Sequence, residues 1–299
     1  MRHRLLFSVL LCVLCGIGGC QMRQKDLPPL PAWQGSEARD NAELGQIRDL
    51  ANGQSLTPAQ LVQRLAQASR VLVGEKHDSP DHHALQLWLM QALQRQRPQG
   101  SLLLEMLEPG QQARVDAIEA QQSLPADLPE ALAWEQGWTW AFYGPLVEEA
   151  LRQPYPLLAA NLEPGRIRQI YRQPPRLAGA RSTAPEVRQA LLEQVRVSHC
   201  AMLPESQMPA MLAVQQQRDR HMASALLQAP EPAMLLAGSF HARKDLGVPL
   251  HLADLGAKGE TLVLMLAEAG EIVTAGMADY VWYTAATPVQ DYCAQMRKP

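Results

Sequence analysis

Apolar residues along this chain fall in two rhythms. Unbroken apolar runs at 71–73, 102–104, Leu157–Ala159, 234–236 and 262–266 read as strands buried on both faces. A later run, 280–283, alternates more and predicts an edge strand. Between the runs, apolar residues recur with helical spacing over 80–96, 110–121, 145–152, 185–197 and 208–227. Thr57-Pro58-Ala59-Gln60 reads as a further helix start, with Thr as N-cap, Pro in the first turn and Gln three positions on. Leu61, Val62, Leu65 and Ala68 continue that helix. Strands alternating with helices predict an α/β fold of three layers, a mostly parallel sheet with helices on both faces. Segments 108–152 and 165–227 are too long for simple crossovers. They are expected to be helical insertions that cap one end of the sheet.

The first residues set the expected compartment. Arg2, His3 and Arg4 precede an apolar run, 5–15, that is too short to cross a bilayer. Small residues follow, in Ile17-Gly18-Gly19-Cys20. A charged start, a short apolar stretch and small residues form a secretory signal. The cysteine at its end resembles a bacterial lipobox, which makes 1–19 a lipoprotein signal peptide and Cys20 the lipidated residue. The alternative is a plain signal that leaves Cys20 as a free thiol. Gln21 stands after Cys20 where inner-membrane lipoproteins carry Asp, so the sorting pattern points to the outer membrane, periplasmic side. No later segment approaches a membrane span, so the mature chain is expected to be anchored and not spanning. Residues 20–45, with Pro28, Pro29 and Pro31, read as a tether, and 46–299 as the folded domain.

Composition narrows the class. With 47% hydrophobic and 19% charged residues the chain is ordinarily globular, which excludes disordered and fibrous readings. A net charge of −3 argues against binding nucleic acid through a basic patch. Cys12 and Cys15 leave with the signal peptide, and the rest of the chain has no CxxC, so zinc-ribbon, thioredoxin-type and c-type haem readings fall away. Cys200 and Cys293 could pair in an oxidising compartment or stand as two separate thiols.

In open parallel sheets, ligands gather beyond the carboxyl ends of the strands. Those ends carry Glu75 and His77 after the first run, Glu105 after the second, Asn161 and Glu163 after the third, and His241 and Arg243 after the fourth. Glu75, His77, Glu105 and His241 are therefore expected to share one pocket. Such a set can do acid–base work or hold a divalent metal. Ser79-Pro80 starts the next helix and places Asp81, His82 and His83 at its N-terminus, a rim suited to a carboxylate-bearing ligand. His82 itself reads as a solvated first-turn residue. Trp134, Trp138, Trp140, Phe142 and Tyr143 are five of the 15 aromatic residues and lie within ten positions. That segment suits a flat apolar ligand or a small core that fastens the cap.

The motif Val73-Gly74-Glu75-Lys76-His77 with His82-His83, the strand end Leu104-Glu105-Met106, the tryptophan-rich stretch ending Tyr143-Gly144-Pro145, Ala159-Ala160-Asn161, and Gly238-Ser239-Phe240-His241-Ala242 with Gly247-Val248-Pro249 together resemble the ChaN-like haem-binding lipoproteins. These belong with the erythromycin-esterase-like and TIKI-like proteins, and the likeness spans about 45–285. The resemblance implies ferric haem as ligand, two haems lying face to face at a homodimer interface, and a part in haem or iron uptake. It implies a tyrosine as iron ligand, for which Tyr143 is the candidate and Tyr171 the reserve. It implies Lys76 with His77 or His83 as contacts to the haem propionates. An outer-membrane haem receptor is the expected partner.

Two rival functions stand beside this one. A hydrolase would use Glu75 as general base, with His77 and His241 as acid, ligand or oxyanion stabiliser. No GxSxG or HExxH motif supports a serine or zinc hydrolase. A lipoprotein that merely holds a partner is the third reading, and no feature of the chain favours it.

Overall fold

Six parallel strands form the middle of the protein, and an antiparallel hairpin closes one edge. The computed structural model describes residues 27–296. Its strands are β1 (Ile47–Asp49), β2 (Ser55–Leu56), β3 (Arg70–Glu75), β4 (Ser101–Leu104), β5 (Leu157–Ala159), β6 (Ala233–Gly238), β7 (Thr261–Glu268) and β8 (Tyr280–Thr284). They lie in the order β2-β1-β8-β7-β3-β6-β4-β5. All pairs from β8 to β5 are parallel, and β1 joins β8 and β2 antiparallel. The run at 280–283 is therefore not an edge strand. β1 covers its outer side, and all five residues of β8 are buried. Three-residue and two-residue strands such as β1 and β2 carry too little periodicity to be read from sequence.

Alternation along each strand divides the core into two layers. Val71 and Val73 face one side with Leu102, Leu104, Leu236 and Leu264. Leu72 faces the other with Leu103, Leu235 and Val263. The first side is covered by α1 (Pro58–Leu65), α2 (Pro80–Gln96), α3 (Pro109–Glu119), α4 (Leu128–Leu132) and α5 (Trp140–Leu151). Beyond β5 come α6 (Pro164–Arg172), α7 (Pro185–Ser198) and α8 (Met208–Gln228), then α9 (Ser239–Ala242), α10 (Val248–Asp254) and α11 (Tyr292–Met296). Met222, Ala223 and Leu226 of α8 and Val248 and Leu252 of α10 cover the second side.

The start of α1 has the expected capping box, with Thr57 and Gln60 each satisfying the other's backbone N–H. The start of α2 is capped by Ser79, with Pro80 in its first turn. α5 differs from expectation. It begins at Trp140, and Pro145 lies inside it, not at its start. A β-carbon on Gly144 would come within 2.7 Å of the Trp140 indole, so glycine is what lets that ring lie on the helix.

The segment read as a tether is held against the domain from residue 27 onward. Trp88 donates to the Pro28 carbonyl at 2.8 Å, and the buried Asp81 carboxylate accepts from the N–H groups of Gln34 and Gly35 at 2.6 and 2.9 Å. The signal peptide, Cys20 and the start of the tether lie outside the described residues. Among the described residues no helix is long and apolar enough to cross a membrane. Cys200 and Cys293 form a disulfide that ties the end of the chain to the loop after α7.

Candidate functional site

A cavity of about 870 Å³ opens at the carboxyl ends of β3, β6 and β7, where an α/β sheet most often places its ligand. Glu75, His77, Glu105 and His241 all line it, as the strand-end pattern predicts. Trp138 reaches it from the first insertion, and Gln194, Gln215 and Arg218 from the second, so both insertions overhang the same sheet end. Phe240, Met265, Ile272, Val273 and Met277 make much of the wall apolar.

Two hydrogen-bonded groups meet at the floor. In the first, Glu75 Oε1 lies 2.6 Å from His77 Nδ1 and accepts from the Tyr143 hydroxyl at 3.1 Å. The Tyr143 oxygen is also 3.2 Å from His77 Nδ1. Glu75 and Tyr143 are both 1% exposed, whereas the His77 side chain is 45% exposed. His77 therefore stands between the tyrosine and the cavity. Burial lowers the His77 pKa, but the hydrogen bond and charge of Glu75 outweigh burial and leave it raised. Burial and the Glu75 carboxylate push the Tyr143 phenol far above its ordinary range.

The second group runs through four charged side chains. His241 Nδ1 lies 2.5 Å from Asp219, and its Nε2 lies 3.3 Å from Glu105 Oε1. Arg218 donates to Glu105 at 2.7 Å and to Asn161 at 3.1 Å, and the Gly238 N–H donates to Glu105 Oε2 at 2.7 Å. Burial lowers the His241 pKa, yet the carboxylates of Glu105 and Asp219 on either side push it up to about 9. Burial raises Glu105, but His241, Arg218 and His77 hold it well below the usual carboxylate range. Buried charges paired on every side in this way hold one another in place.

Other predicted residues lie elsewhere. His82, expected to be solvated, is fully buried. It accepts from the Lys76 N–H at 2.9 Å and meets Thr284 Oγ1 at 3.1 Å, and burial pushes its pKa down to about 3. His83 is buried, stacked on Phe142 and edge-on to Tyr143, with its Nε2 3.0 Å from the His77 carbonyl. It does not reach the cavity, because Tyr143 and His77 lie between. Lys76 does line the cavity, and its ammonium is shared by Glu268 and Thr287 at 2.8–3.1 Å. Tyr171 lies between α6 and α8, where its hydroxyl donates to Gln207 at 2.7 Å. The aromatic segment serves partly as a small core: Trp134 packs on Trp140 and Trp138 on Tyr143, while only Trp138 lines the cavity.

Arg218, Asp219 and Gln215 were not legible as site residues. They sit in mid-helix on α8, far in sequence from any strand end, and the only local signal is an arginine–aspartate pair inside a helix otherwise rich in apolar residues and glutamine. Among the described residues no three His, Cys, Asp or Glu side chains stand together as a metal-ion site.

Fold and site define an α/β domain with a roofed cleft at its strand ends. Residues 61–252 match the family described as haem-binding uptake, Tiki superfamily, ChaN, and the chain belongs to that family. A solved structure of ChaN from Campylobacter jejuni, described as binding haem cofacially, is 30% identical. The match covers 79% of this chain and 95% of that one, with a TM-score of 0.74. A mutant of the erythromycin esterase EreC in its open conformation is 10% identical, over 82% of this chain and 84% of that one, with a TM-score of 0.44. No curated protein matches the chain in sequence.

Proposed function

We propose that this chain binds ferric haem in the strand-end cleft, as two cofacial haems shared between two copies, and that it serves haem or iron uptake. The observation that carries this reading is the likeness to Campylobacter ChaN over nearly the whole of that chain. The cleft suits the ligand chemically. Its walls of Trp138, Phe240, Met265 and Ile272 match a flat apolar macrocycle, and Lys76 and the half-exposed His77 offer positive charge for carboxylates. In this reading Lys76 and His77 hold the propionates, the His77 ring turning aside towards them, and His83, buried behind Tyr143, supports the tyrosine ring.

Tyr143 is the proposed iron ligand. A phenolate is a hard anion that suits ferric iron. Its oxygen lies one hydrogen bond behind His77, so the tyrosine meets a ligand in the cleft once the His77 ring turns aside. The domain is held by a lipid anchor at Cys20, on the periplasmic side of the outer membrane, where it takes haem from an outer-membrane receptor. The test is a haemin titration of the chain from residue 22 onward, followed by absorbance and by mass in solution. Saturation near one haem per chain with a shift from monomer to dimer is expected. Absence of saturable binding overturns the reading.

One observation favours a second reading, hydrolysis. Two imidazole–carboxylate pairs, His77 with Glu75 and His241 with Asp219, converge on one cleft floor, as general-base chemistry requires. On this reading Glu75→Gln abolishes turnover of an ester or amide and leaves haem binding intact. Haem loss in that variant, with no activity to lose, counts against it.

A further inference from the structure

The second insertion carries a surface that neither reading uses. Between Pro164 and Pro185 the chain has five arginines, Arg166, Arg168, Arg172, Arg176 and Arg181, and no acidic residue, although the whole chain has a net charge of −3. All five are exposed. Among the described residues none of them is in an ion pair, and the only side-chain hydrogen bond made by any of their guanidinium groups is from Arg166 to Gln169. Arginines elsewhere in the fold mostly have partners: Arg64 has Asp49, Arg196 has Glu193 and Glu205, and Arg218 has Glu105. The basic charge on and after α6 is thus concentrated and uncompensated.

Apolar side chains stand beside it. The other face of α6 is occupied, with Ile167, Ile170 and Tyr171 packed on Ala213 and Val214 of α8. Tyr171 donates to Gln207, and Arg196 pairs with Glu205, so the end of α6, the turn at Glu205–Gln207 and the end of α7 form one tip. On that tip Val197 is 66% and Met202 46% exposed. The loop between them holds Cys200, whose disulfide to Cys293 fixes it in place and brings in Tyr292, itself 47% exposed. Exposed apolar side chains are common singly, but here they are grouped, with unpaired Arg172 beside Tyr171 at the end of α6 on the same tip and the other arginines along α6 and the segment that follows it. Of the acidic residues at or beside the tip, Glu193 and Glu205 are neutralised by Arg196, Asp78 accepts from the Tyr292 hydroxyl, and Asp291 accepts from the Ala294 N–H.

We propose that this tip docks on an anionic phospholipid bilayer. The charge complementarity is direct: guanidinium groups pair with lipid phosphates, and Val197 and Met202 enter the headgroup boundary. A surface that only kept the protein soluble would mix both charge signs and bury or omit the apolar groups. An acidic protein surface would satisfy the arginines but give exposed valine and methionine no reason to stand at the tip. Leu27, where the described chain begins, packs with the helices on the opposite side of the sheet. Gln194, one turn before Val197 on α7, lines the cleft, so docking brings the cleft wall close to the lipid surface. The inference does not depend on haem.

The test is co-sedimentation of the unlipidated chain from residue 22 onward with vesicles of phosphatidylcholine, with and without phosphatidylglycerol. Binding is expected only when phosphatidylglycerol is present, and it is expected to fall as salt is raised through the physiological range. Replacing all five arginines by glutamine should lower partitioning about tenfold or more. Val197→Asp with Met202→Asp should weaken the binding that survives at high salt. Because these side chains are exposed and outside the core, unchanged thermal unfolding of the variants shows that the fold is kept. Equal binding to both vesicle types, no binding, or full binding by the glutamine variant overturns the proposal. So does self-association of the lipid-free chain that the glutamine variant abolishes, since the tip would then belong to a second copy.

Discussion

The imidazole of His77 stands 2.8 Å from where a β-carbon on Gly238 would lie. The backbone at 238 has φ −56°, which any residue adopts, so glycine is there for space and not for conformation. Gly238→Ala should therefore fold, at a cost of about 1–2 kcal/mol for the crowding. It should also push the His77 ring away from Glu75 and the cleft floor. A haem titration is expected to show affinity reduced about tenfold with the unfolding transition still cooperative. Wild-type affinity in this variant would mean that the position of His77 is not used in binding.

Tyr143 and His77 can be separated by spectroscopy. Tyr143→Phe removes one buried hydrogen bond to Glu75, a loss of about 1 kcal/mol, and leaves the packing against Trp138 and His83. The ferric–phenolate absorption band should disappear while the fold persists. His77→Ala removes the ring between the phenol and the cleft, so the band should remain and haem should associate faster in stopped flow. The reverse result, a band kept without Tyr143 and lost without His77, would assign the iron to the imidazole.

Much of this site was legible because strand ends are legible. Glu75, His77, Glu105 and His241 each follow an unbroken apolar run, and a parallel sheet brings the ends of neighbouring strands together whatever the loops do. Their partners were not legible. Asp219 and Arg218 come from the middle of a 21-residue helix, and only the angle at which α8 crosses the sheet brings them to His241 and Glu105. The burial of His82 was missed for a related reason. A first-turn histidine looks solvated until residues 27–45 and β8 are known to close over it. The hairpin of β1 and β2 was missed because five strand residues carry no usable period.

The disulfide between Cys200 and Cys293 closes a loop with a sequence separation of 93. A cross-link across so long a loop restricts the unfolded chain and contributes about 2–4 kcal/mol. Replacing both cysteines by serine should lower the denaturation midpoint accordingly. The segment after Thr284, otherwise held by Thr287 on Glu268 and Tyr292 on Asp78, should become the first site of proteolysis. A double-serine chain as stable and as protease-resistant as the wild type would show that those polar contacts suffice.

The group around His241 predicts how stability varies with pH. The folded-state pKa of His241, about 9, lies above the unfolded value of 6.5, so the protonated ring is what the fold favours. Its contribution is complete below about pH 6.5, falls between 6.5 and 9, and is absent above. The raised His77 acts in the same direction. Glu105 acts in the opposite one: its pKa is lowered in the fold, so its contribution is present above about 4.5 and is lost as pH falls. His82, whose pKa burial pushes down to about 3, likewise loses stability as pH falls below 6.5, so stability should be greatest near pH 6.5 and decline on the alkaline side by up to about 3 kcal/mol. Denaturant titrations from pH 6 to pH 9 measure the decline. Asp219→Asn removes one of the two carboxylates that raise His241, so the decline should still begin near pH 6.5 but be smaller and end at lower pH. His241→Gln should be less stable, because Glu105 and Asp219 lose their shared cation, and its profile over this range should keep only the part of the decline that comes from His77. A wild-type profile that is already flat from pH 6 to pH 9 would mean that His241 and His77 are neutral in the fold and that Glu105 is held by Arg218 and the Gly238 N–H.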